Sequence, residues 1–220
     1  MRTYLSTIGY HETRVTRPVV KHGVDAGDRV VLVRPAEESD TERAADAVGY
    51  VTDMLGEIEP DVSVTTEHVG TGGFGETVLQ CSEMVRAVEP DRQLVVTFGG
   101  GAREVLLPLL VASVLHAPRV DHAYQYTDVG QAVRPLAVPD LTAPVPSRAT
   151  DTFAAVVERG PGVSLSELAV ETDRSKSTVA RHLDDLVDAG HVETSTEDGA
   201  RTAAVTETGR LVHRARVARD

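Results

Sequence analysis

The order of predicted elements in residues 151–220 constrains the fold of this 220-residue chain most. A first helix, Thr152 to Arg159, is ended by a Gly-Pro-Gly segment. A second, short helix opens with a capping box, Ser164 to Glu167, in which Ser and Glu satisfy the first free amides of a helix. A third helix begins at Ser175 and ends at Gly190, a residue type common just beyond helix C-termini.

A β-hairpin and a last helix complete this pattern. Residues 191–206 have strand character around Asp198-Gly199, a dipeptide typical of two-residue hairpin turns. An amphipathic helix from Thr208 to Ala218 follows. Helix, helix, a short turn at 171–174, helix and hairpin are the elements of a winged helix-turn-helix, whose third helix enters the major groove of DNA. The sequence therefore predicts a DNA-binding domain at 151–220, with double-stranded DNA as its partner.

The N-terminal half of the third helix carries side chains suited to DNA recognition. Hydroxyl groups there can bond phosphates or base edges, and Lys or Arg can reach phosphates or guanine. The candidate DNA-binding residues are Arg174, Ser175, Lys176, Ser177, Thr178, Arg181 and His182, with Arg201 on the wing. The segment from Ser175 to Glu193 also resembles the recognition helix and wing entry of archaeal MarR/ArsR-type regulators. A winged helix used only for protein contacts is the alternative.

The charge balance is unusual for a DNA-binding protein. The formal net charge is -12, and Lys21 and Lys176 are the only lysines among 22 basic residues. DNA-binding domains usually carry a basic patch. An acid-rich, lysine-poor composition resembles that of proteins from salt-accumulating archaea, where salt screens the repulsion between surface charges and weakens counterion release on DNA. We therefore expect a haloarchaeal protein that contacts DNA through a small cluster and not through a broad basic face.

The first 140 residues alternate strand and helix patterns. Predicted strands cover 2–8, 29–33, 62–69, 93–98, 120–126 and 132–138, and predicted helices end near 22 or cover 39–58, 76–88 and 102–116. Hydrophobic strands joined by helices imply right-handed crossovers and an α/β fold, here a Rossmann-like, mostly parallel six-stranded sheet. The short connection at 127–131 predicts an antiparallel last pair. Prolines at 139–146 mark a linker, which gives an N-terminal domain at 1–140, a linker at 141–150 and the winged helix.

Two loops lie where such a sheet binds ligands. A strand order of 3-2-1-4 reverses between the first and fourth strands, and ligands bind at the carboxyl ends of the strands at that point. The candidate ligand-binding residues are Thr7, Ile8, Gly9, Tyr10, His11 and Glu12 after the first strand, and Thr97, Phe98, Gly99, Gly100, Gly101 and Arg103 after the fourth. Glycines let backbone N–H groups approach an anion, and the following helix adds its positive end. A tight turn without a ligand is the alternative.

Both loops also resemble a known family. The signature loops of CRISPR-associated Rossmann-fold (CARF) domains are similar to Thr-Ile-Gly-Tyr at 7–10 and to Gly-Gly-Gly-Ala-Arg at 99–103. With its linker and winged helix, the whole chain is similar to the CARF-type transcriptional regulators of archaeal CRISPR systems. The resemblance implies a homodimer that binds a cyclic oligoadenylate, expected to be the tetra-adenylate, across its two-fold axis.

The resemblance also implies roles for single residues. Gly9, Tyr10 and His11 would line the floor of the ligand site, and 99–101 with Arg103 would hold phosphates and adenines. It implies a regulator and not an enzyme. Two alternatives stay open: the same architecture sensing another metabolite, and slow cleavage of the cyclic oligoadenylate with help from His11 and Glu12.

Other sequence signals predict neither a catalytic nor a metal site. A G-x-G-x-x-G pattern at 70–75 follows the third strand and not the first, so an edge loop is favoured over a dinucleotide site. His116 and His122 lack metal-ligand spacing, and Cys81 is predicted to pack in a core. A single cysteine excludes an intrachain disulfide and fits a reducing cytoplasm. The apolar run at 105–115 is too short to span a bilayer.

Three further expectations concern the chain start and two prolines. The first residues lead directly into a strand pattern and not into a signal peptide. Pro18 predicts that the first helix starts only near Arg17, and Pro108 predicts a kink in the helix at 102–116.

Overall fold

The computed structural model describes residues 1–37, 41–197 and 199–217. The chain divides into two compact units, Met1–Val138 and Pro139–Asp220. No helix in the described ranges is both long and apolar enough to cross a membrane.

The first unit alternates strands and helices. Its strands are β1 (Arg2–Thr7), β2 (Arg29–Pro35), β3 (Ser63–Val69), β4 (Gln93–Phe98), β5 (His122–Tyr126) and β6 (Val133–Pro135). Its helices are α1 (Thr13–His22), α2 (Thr41–Ile58), α3 (Phe74–Ala87) and α4 (Arg103–Leu115), and a 3-10 turn at Ala117–Arg119 follows α4. The start expected for α2, Ser39, lies outside the described residues.

The six strands form one sheet in the order β3-β2-β1-β4-β5-β6. The first five strands run parallel, and β6 pairs antiparallel with β5. This confirms the predicted α/β class and the reversal of strand order between β1 and β4. The register sets Leu5 opposite both Val31 and Val96, so the centre of the sheet is apolar.

Helices cover both faces of the sheet because neighbouring strand residues point to opposite sides. One cluster joins Tyr4 to Val15 of α1 and Leu55 of α2, and the other joins Leu5 to Cys81 of α3 and to helix α4. Cys81 is fully buried, as expected, and burial raises the pKa of its thiol to about 11. The sheet therefore lies between two layers of helices, which cover its faces and not the ends of its strands.

The first helix does not follow the expectation from Pro18. It begins at Thr13, one turn before Arg17, and continues through Pro18 to His22. Pro18 is buried in this helix and lacks the N–H that would bond the carbonyl of Arg14. That carbonyl lies against Gly99 of the neighbouring loop, so the irregular position is covered by tertiary contact.

The second unit contains the helices and the hairpin of the predicted winged helix. Its helices are α5 (Thr150–Arg159), α6 (Leu165–Glu171), α7 (Lys176–Asp188) and α8 (Glu207–Val217), and its strands are β7 (Val163–Ser164), β8 (Val192–Glu197) and β9 (Ala200–Val205). A 3-10 turn at Ser147–Ala149 precedes α5. The three strands pair antiparallel in the order β7-β9-β8, so the wing has one short strand more than expected. The expected turn residue Asp198 lies outside the described residues.

Local signals place the helices of this unit as the sequence predicts. The capping box at Ser164 and Glu167 is formed, and Ser175 caps α7 by accepting a hydrogen bond from the amide of Thr178. Gly190 adopts a φ of 71° just beyond α7, which a side chain would disfavour. Buried Leu168, Leu183, Leu186 and Val179 then join α6 and α7 in one core with Phe153.

Candidate functional site

The two glycine loops meet at the carboxyl ends of β1 and β4. A Cβ atom on Gly9 would lie 3.0 Å from the Cα of Gly101, and one on Gly101 would lie 2.9 Å from the carbonyl oxygen of Ile8. Gly101 also has a φ of +98°, which residues with side chains rarely adopt. The two loops therefore touch through bare backbone.

The first turns of α1 close the same region from a third side. A Cβ on Gly99 would collide with the carbonyl oxygen of Arg14, and one on Gly100 would lie 3.0 Å from its Cδ. The hydroxyl of Thr7 donates a hydrogen bond to the carbonyl of Gly100. The three consecutive glycines thus have a packing reason as well as a predicted binding role.

These contacts border a cleft of about 350 Å³. Four of the residues predicted from the sequence line it, namely Gly9, Tyr10, His11 and Gly101. Four further lining residues are Arg14, Pro35, Glu37 and Ala102. Helix α4 begins at the cleft, since Ala102 is its N-cap and forms no side-chain capping bond. Helix N-termini of this kind favour anions, because their first amides point outward and the helix dipole is positive there.

The other predicted ligand-binding residues lie around the cleft and not on its wall. The side chains of Thr7, Ile8, Thr97 and Phe98 are buried. Glu12 is the N-cap of α1, and Arg103 is exposed at the first position of α4. These residues shape the loops, and Arg103 stands close in sequence to the cleft without lining it.

Two arginines near the cleft did not appear among the candidates. Arg14 is the second residue of α1, two positions after Glu12, and its Nη2 atom is 2.8 Å from Oδ1 of Asp128. The guanidinium of Arg43 lies over the ring of Tyr10, with 4.9 Å between its central carbon and the ring centroid. A cation on the first helical turn after a glycine loop is the signal that could have identified Arg14, whereas Arg43 is brought in only by the fold.

The G-x-G-x-x-G pattern lies at the edge of the sheet, between β3 and α3. The amide of Gly70 donates to the side chain of Gln80, and Thr77 donates back to the carbonyl of Gly70. The loop is thus tied to its own helix. No group of three or more potential metal ligands occurs among the residues that the structure describes.

In the second unit, the start of α7 presents a compact polar surface. Ser175, Ser177 and Thr178 form a hydroxyl cluster, with oxygen distances of 2.9 and 3.0 Å from Ser175. Lys176 and Arg181 are exposed. Neither makes an ion pair with any residue in the described part of the chain, so both charges are available to a partner.

The remaining candidates on this surface are engaged within the unit. Arg201 of β9 lies 2.7 Å from Asp184 of α7, and Arg174 lies 3.6 Å from Asp151. His182 is only 5% exposed, and its Nδ1 atom is 2.9 Å from the hydroxyl of Thr152. The structure therefore places His182 in the core and not on the exposed surface. Helical spacing was the available signal, because buried Val179, Leu183 and Leu186 lie three, one and four positions away.

Burial lowers the pKa of His182 below its ordinary value, and the positive charges of Arg174 and Arg181 lower it further. The ring is accordingly stabilised in its neutral form.

A second ion pair fixes the other side of α7, where Arg148 donates two hydrogen bonds to Asp185 at 2.6 and 2.7 Å. Two of the three aspartates on α7 are thus neutralised by arginines.

Both units match models of protein families. Residues 2–131 match the Csa3 CRISPR-associated Rossmann-like domain, and residues 145–202 match the MarR family. No curated protein matches the chain.

Solved structures resemble the chain in parts. A MarR family transcriptional regulator from Silicibacter pomeroyi is 24% identical over 34% of this chain and 53% of its own, with a TM-score of 0.30. The homodimeric winged helix-turn-helix DNA-binding domain of a Mycobacterium bovis protein is 20% identical over 36% of this chain and 73% of its own, with a TM-score of 0.32. A Vibrio cholerae protein is 13% identical over 96% of this chain and 64% of its own, with a TM-score of 0.46. The chain spans about half the length of the first solved structures it matches.

Proposed function

The chain belongs to the family of the Csa3 CRISPR-associated Rossmann-like domain, and from this premise we propose that it is a ligand-responsive, DNA-binding transcriptional regulator of CRISPR-Cas genes. Its first unit senses a cyclic oligoadenylate, the cyclic tetra-adenylate in particular. Its second unit, a MarR-type winged helix, binds double-stranded DNA. The regulator acts as a homodimer.

The observation that carries this proposal is the cleft at the reversal of strand order. It joins glycine backbone of both loops, Tyr10, His11 and Arg14 at the N-terminal end of α4. An aromatic ring, backbone N–H groups, a helix dipole and a guanidinium suit the bases and phosphates of a nucleotide. Ligands of open α/β sheets bind at this place in the fold.

The size of the cleft supports a dimeric site. Its volume of about 350 Å³ lies at the low end of the range for pockets that hold drug-sized molecules. A ring of four adenylates is larger than such a molecule. Two clefts that face each other across a two-fold axis would supply the volume, and they would match the symmetry of a cyclic ligand.

Calorimetry with the purified full chain in high salt tests the ligand. We expect heat of binding with cyclic tetra-adenylate at one ring per dimer, and weaker binding of the cyclic tri- and hexa-adenylates. Linear tetra-adenylate is the control, which shows how much the closed ring contributes to the binding affinity. The absence of heat with every cyclic oligoadenylate would contradict the sensing half of the proposal and favour the alternative, a regulator of the same architecture that senses another metabolite.

Arg181 tests the DNA half. It is exposed on α7, and it makes no ion pair with another described residue. We expect Arg181→Ala to weaken binding of the operator about tenfold to a hundredfold in a gel-shift assay, because one base or phosphate contact is lost. Arg86→Ala removes an exposed arginine from α3 and is the control. Unchanged affinity of the Arg181 variant, with the dimer intact, would contradict the assignment of α7 as recognition helix.

Slow ring cleavage is the second candidate, because His11 lines the cleft and Glu12 follows it. Product analysis after prolonged incubation with cyclic tetra-adenylate distinguishes the two. We expect intact ring; product that disappears in His11→Ala would instead assign the first unit as a nuclease.

A further inference from the structure

Helix α1 presents three cations to the hairpin formed by β5 and β6. Arg14 pairs with Asp128, Arg17 donates to the carbonyl of Gln131 at 3.3 Å, and Lys21 donates to the carbonyl of Val133 at 2.8 Å. Positions i, i+3 and i+7 lie on one face of a helix. One stripe of positive charge therefore follows the hairpin from its turn into β6.

Arg14 belongs to this stripe and to the cleft at once. Its side chain packs along Gly100 and lines the cleft beside Tyr10 and His11. The Arg14 side chain is 33% exposed, and its guanidinium is held by Asp128, whose side chain is 75% exposed. A solvent-accessible ion pair of this kind is weak and can exchange partners. A phosphate in the cleft would be a second anion within reach of the same guanidinium.

The segment held by Asp128 has an unusual backbone. Gly130 and Gln131 both have positive φ, 84° and 48°, and a left-handed conformation is uncommon for glutamine. Thr127 closes the turn by donating to the carbonyls of Val129 and Ala132. From this turn the chain passes through β6 and enters the second unit at Pro139. Along the chain, β6 is therefore the one strand between this turn and the DNA-binding unit.

We propose that the Arg14–Asp128 ion pair, which we call the latch, breaks when an anionic ligand in the cleft binds the guanidinium of Arg14 in place of Asp128. The released turn at 127–131 then gains freedom, and this change reaches the linker through β6. The inference rests on the proposed function, because it names how the same cleft is coupled to its output. It assigns Arg14 as a phosphate-binding residue and Asp128 as its internal competitor.

Titration calorimetry of the full chain tests the latch with two probes, cyclic tetra-adenylate and inorganic pyrophosphate. We expect Asp128→Asn to bind either probe about two- to fivefold more tightly, because the competing carboxylate is gone. We expect Arg14→Gln to bind about tenfold more weakly, and Asp128→Asn to add nothing in that background. Asp91→Asn removes the same charge from an exposed position without an ion pair in the described structure, and it should bind like the parent chain.

Hydrogen exchange gives the structural readout. In the parent chain, amides at 127–131 should exchange faster with a probe bound than without one. In Asp128→Asn without a probe, they should already exchange as fast as in the probe-bound parent chain. Equal affinities of Asp128→Asn and the parent chain would overturn the latch while leaving the proposed function standing. Pyrophosphate binding that follows the expected pattern without any binding of cyclic tetra-adenylate would support the latch and overturn the proposed ligand. Failure of both probes would overturn both.

Discussion

At the scale of single residues, two aspartates on α7 form ion pairs with arginines of the winged helix. Asp184 holds Arg201 at 2.7 Å, and its side chain is 62% exposed. In Asp184→Asn, Arg201 becomes available to a phosphate and one repulsive charge disappears. For each winged helix of the proposed dimer, we expect DNA affinity to rise by about 0.5–1 kcal/mol, and the slope of log K against log salt to steepen by about one. Fluorescence anisotropy over a salt series measures both.

The matched control for this prediction is Asp188→Asn. Asp188 is on the same helix, is exposed, and makes no ion pair with any residue in the described ranges. The variant changes the net charge equally but frees no arginine. Equal effects of the two substitutions would mean that Arg201 gains nothing from its release and does not reach DNA.

His182 makes a pH-dependent contribution to the same unit. Burial and the neighbouring arginines lower the pKa of His182 in the folded state, so the unfolded chain binds its proton more readily. Folding stability should therefore be unaffected well above the ordinary histidine pKa of about 6.5, and should fall as pH decreases from there towards the folded pKa. Thermal unfolding at pH 8 and pH 5.5 should show a larger loss for the parent chain than for His182→Gln. Equal losses would assign the pH dependence to other groups.

At the scale of elements, local sequence rules fail where tertiary contacts act. Hydrophobic periodicity and capping residues predict the helices and the formed capping box, because these signals depend on nearby residues. The strand order follows instead from the general topology of doubly wound sheets. The expectation that Pro18 interrupts α1 is wrong. The carbonyl of Arg14, which has no N–H partner at Pro18, packs against Gly99. The two-residue strand β7 is too short for a pattern, and it exists only because it pairs with β9.

The candidate sites show the same division. Glycines at 9 and 101 can be selected from the sequence because each follows a predicted strand at the reversal of strand order, and both line the cleft. The ion-pair partners of Arg14 and Arg201 cannot be predicted from the sequence, because an ion pair between distant positions leaves no local pattern. Sequence analysis thus identifies the loops that form a site, while the fold decides which charges remain free in it.

At the scale of the whole molecule, the net charge of -12 predicts that stability depends on salt. Repulsion within an acidic surface weakens as the screening length shortens from about 10 Å at 0.1 M salt to about 3 Å at 1 M. We expect the thermal midpoint of the chain to rise steeply between about 0.05 and 1 M KCl and then to level off, because screening of neighbouring charges is then nearly complete. Circular dichroism across a KCl series measures it.

A charge-reduced variant separates screening from other effects of salt. Asp53→Asn, Asp91→Asn and Asp188→Asn neutralise exposed carboxylates that make no ion pair in the described structure. Together they should raise the midpoint at low salt and flatten its rise, while the plateau stays close to that of the parent chain. A rise that begins only above 1 M KCl, and is equal in both chains, would point to stronger apolar burial in concentrated salt. It would contradict adaptation of this surface to a salt-rich cell interior.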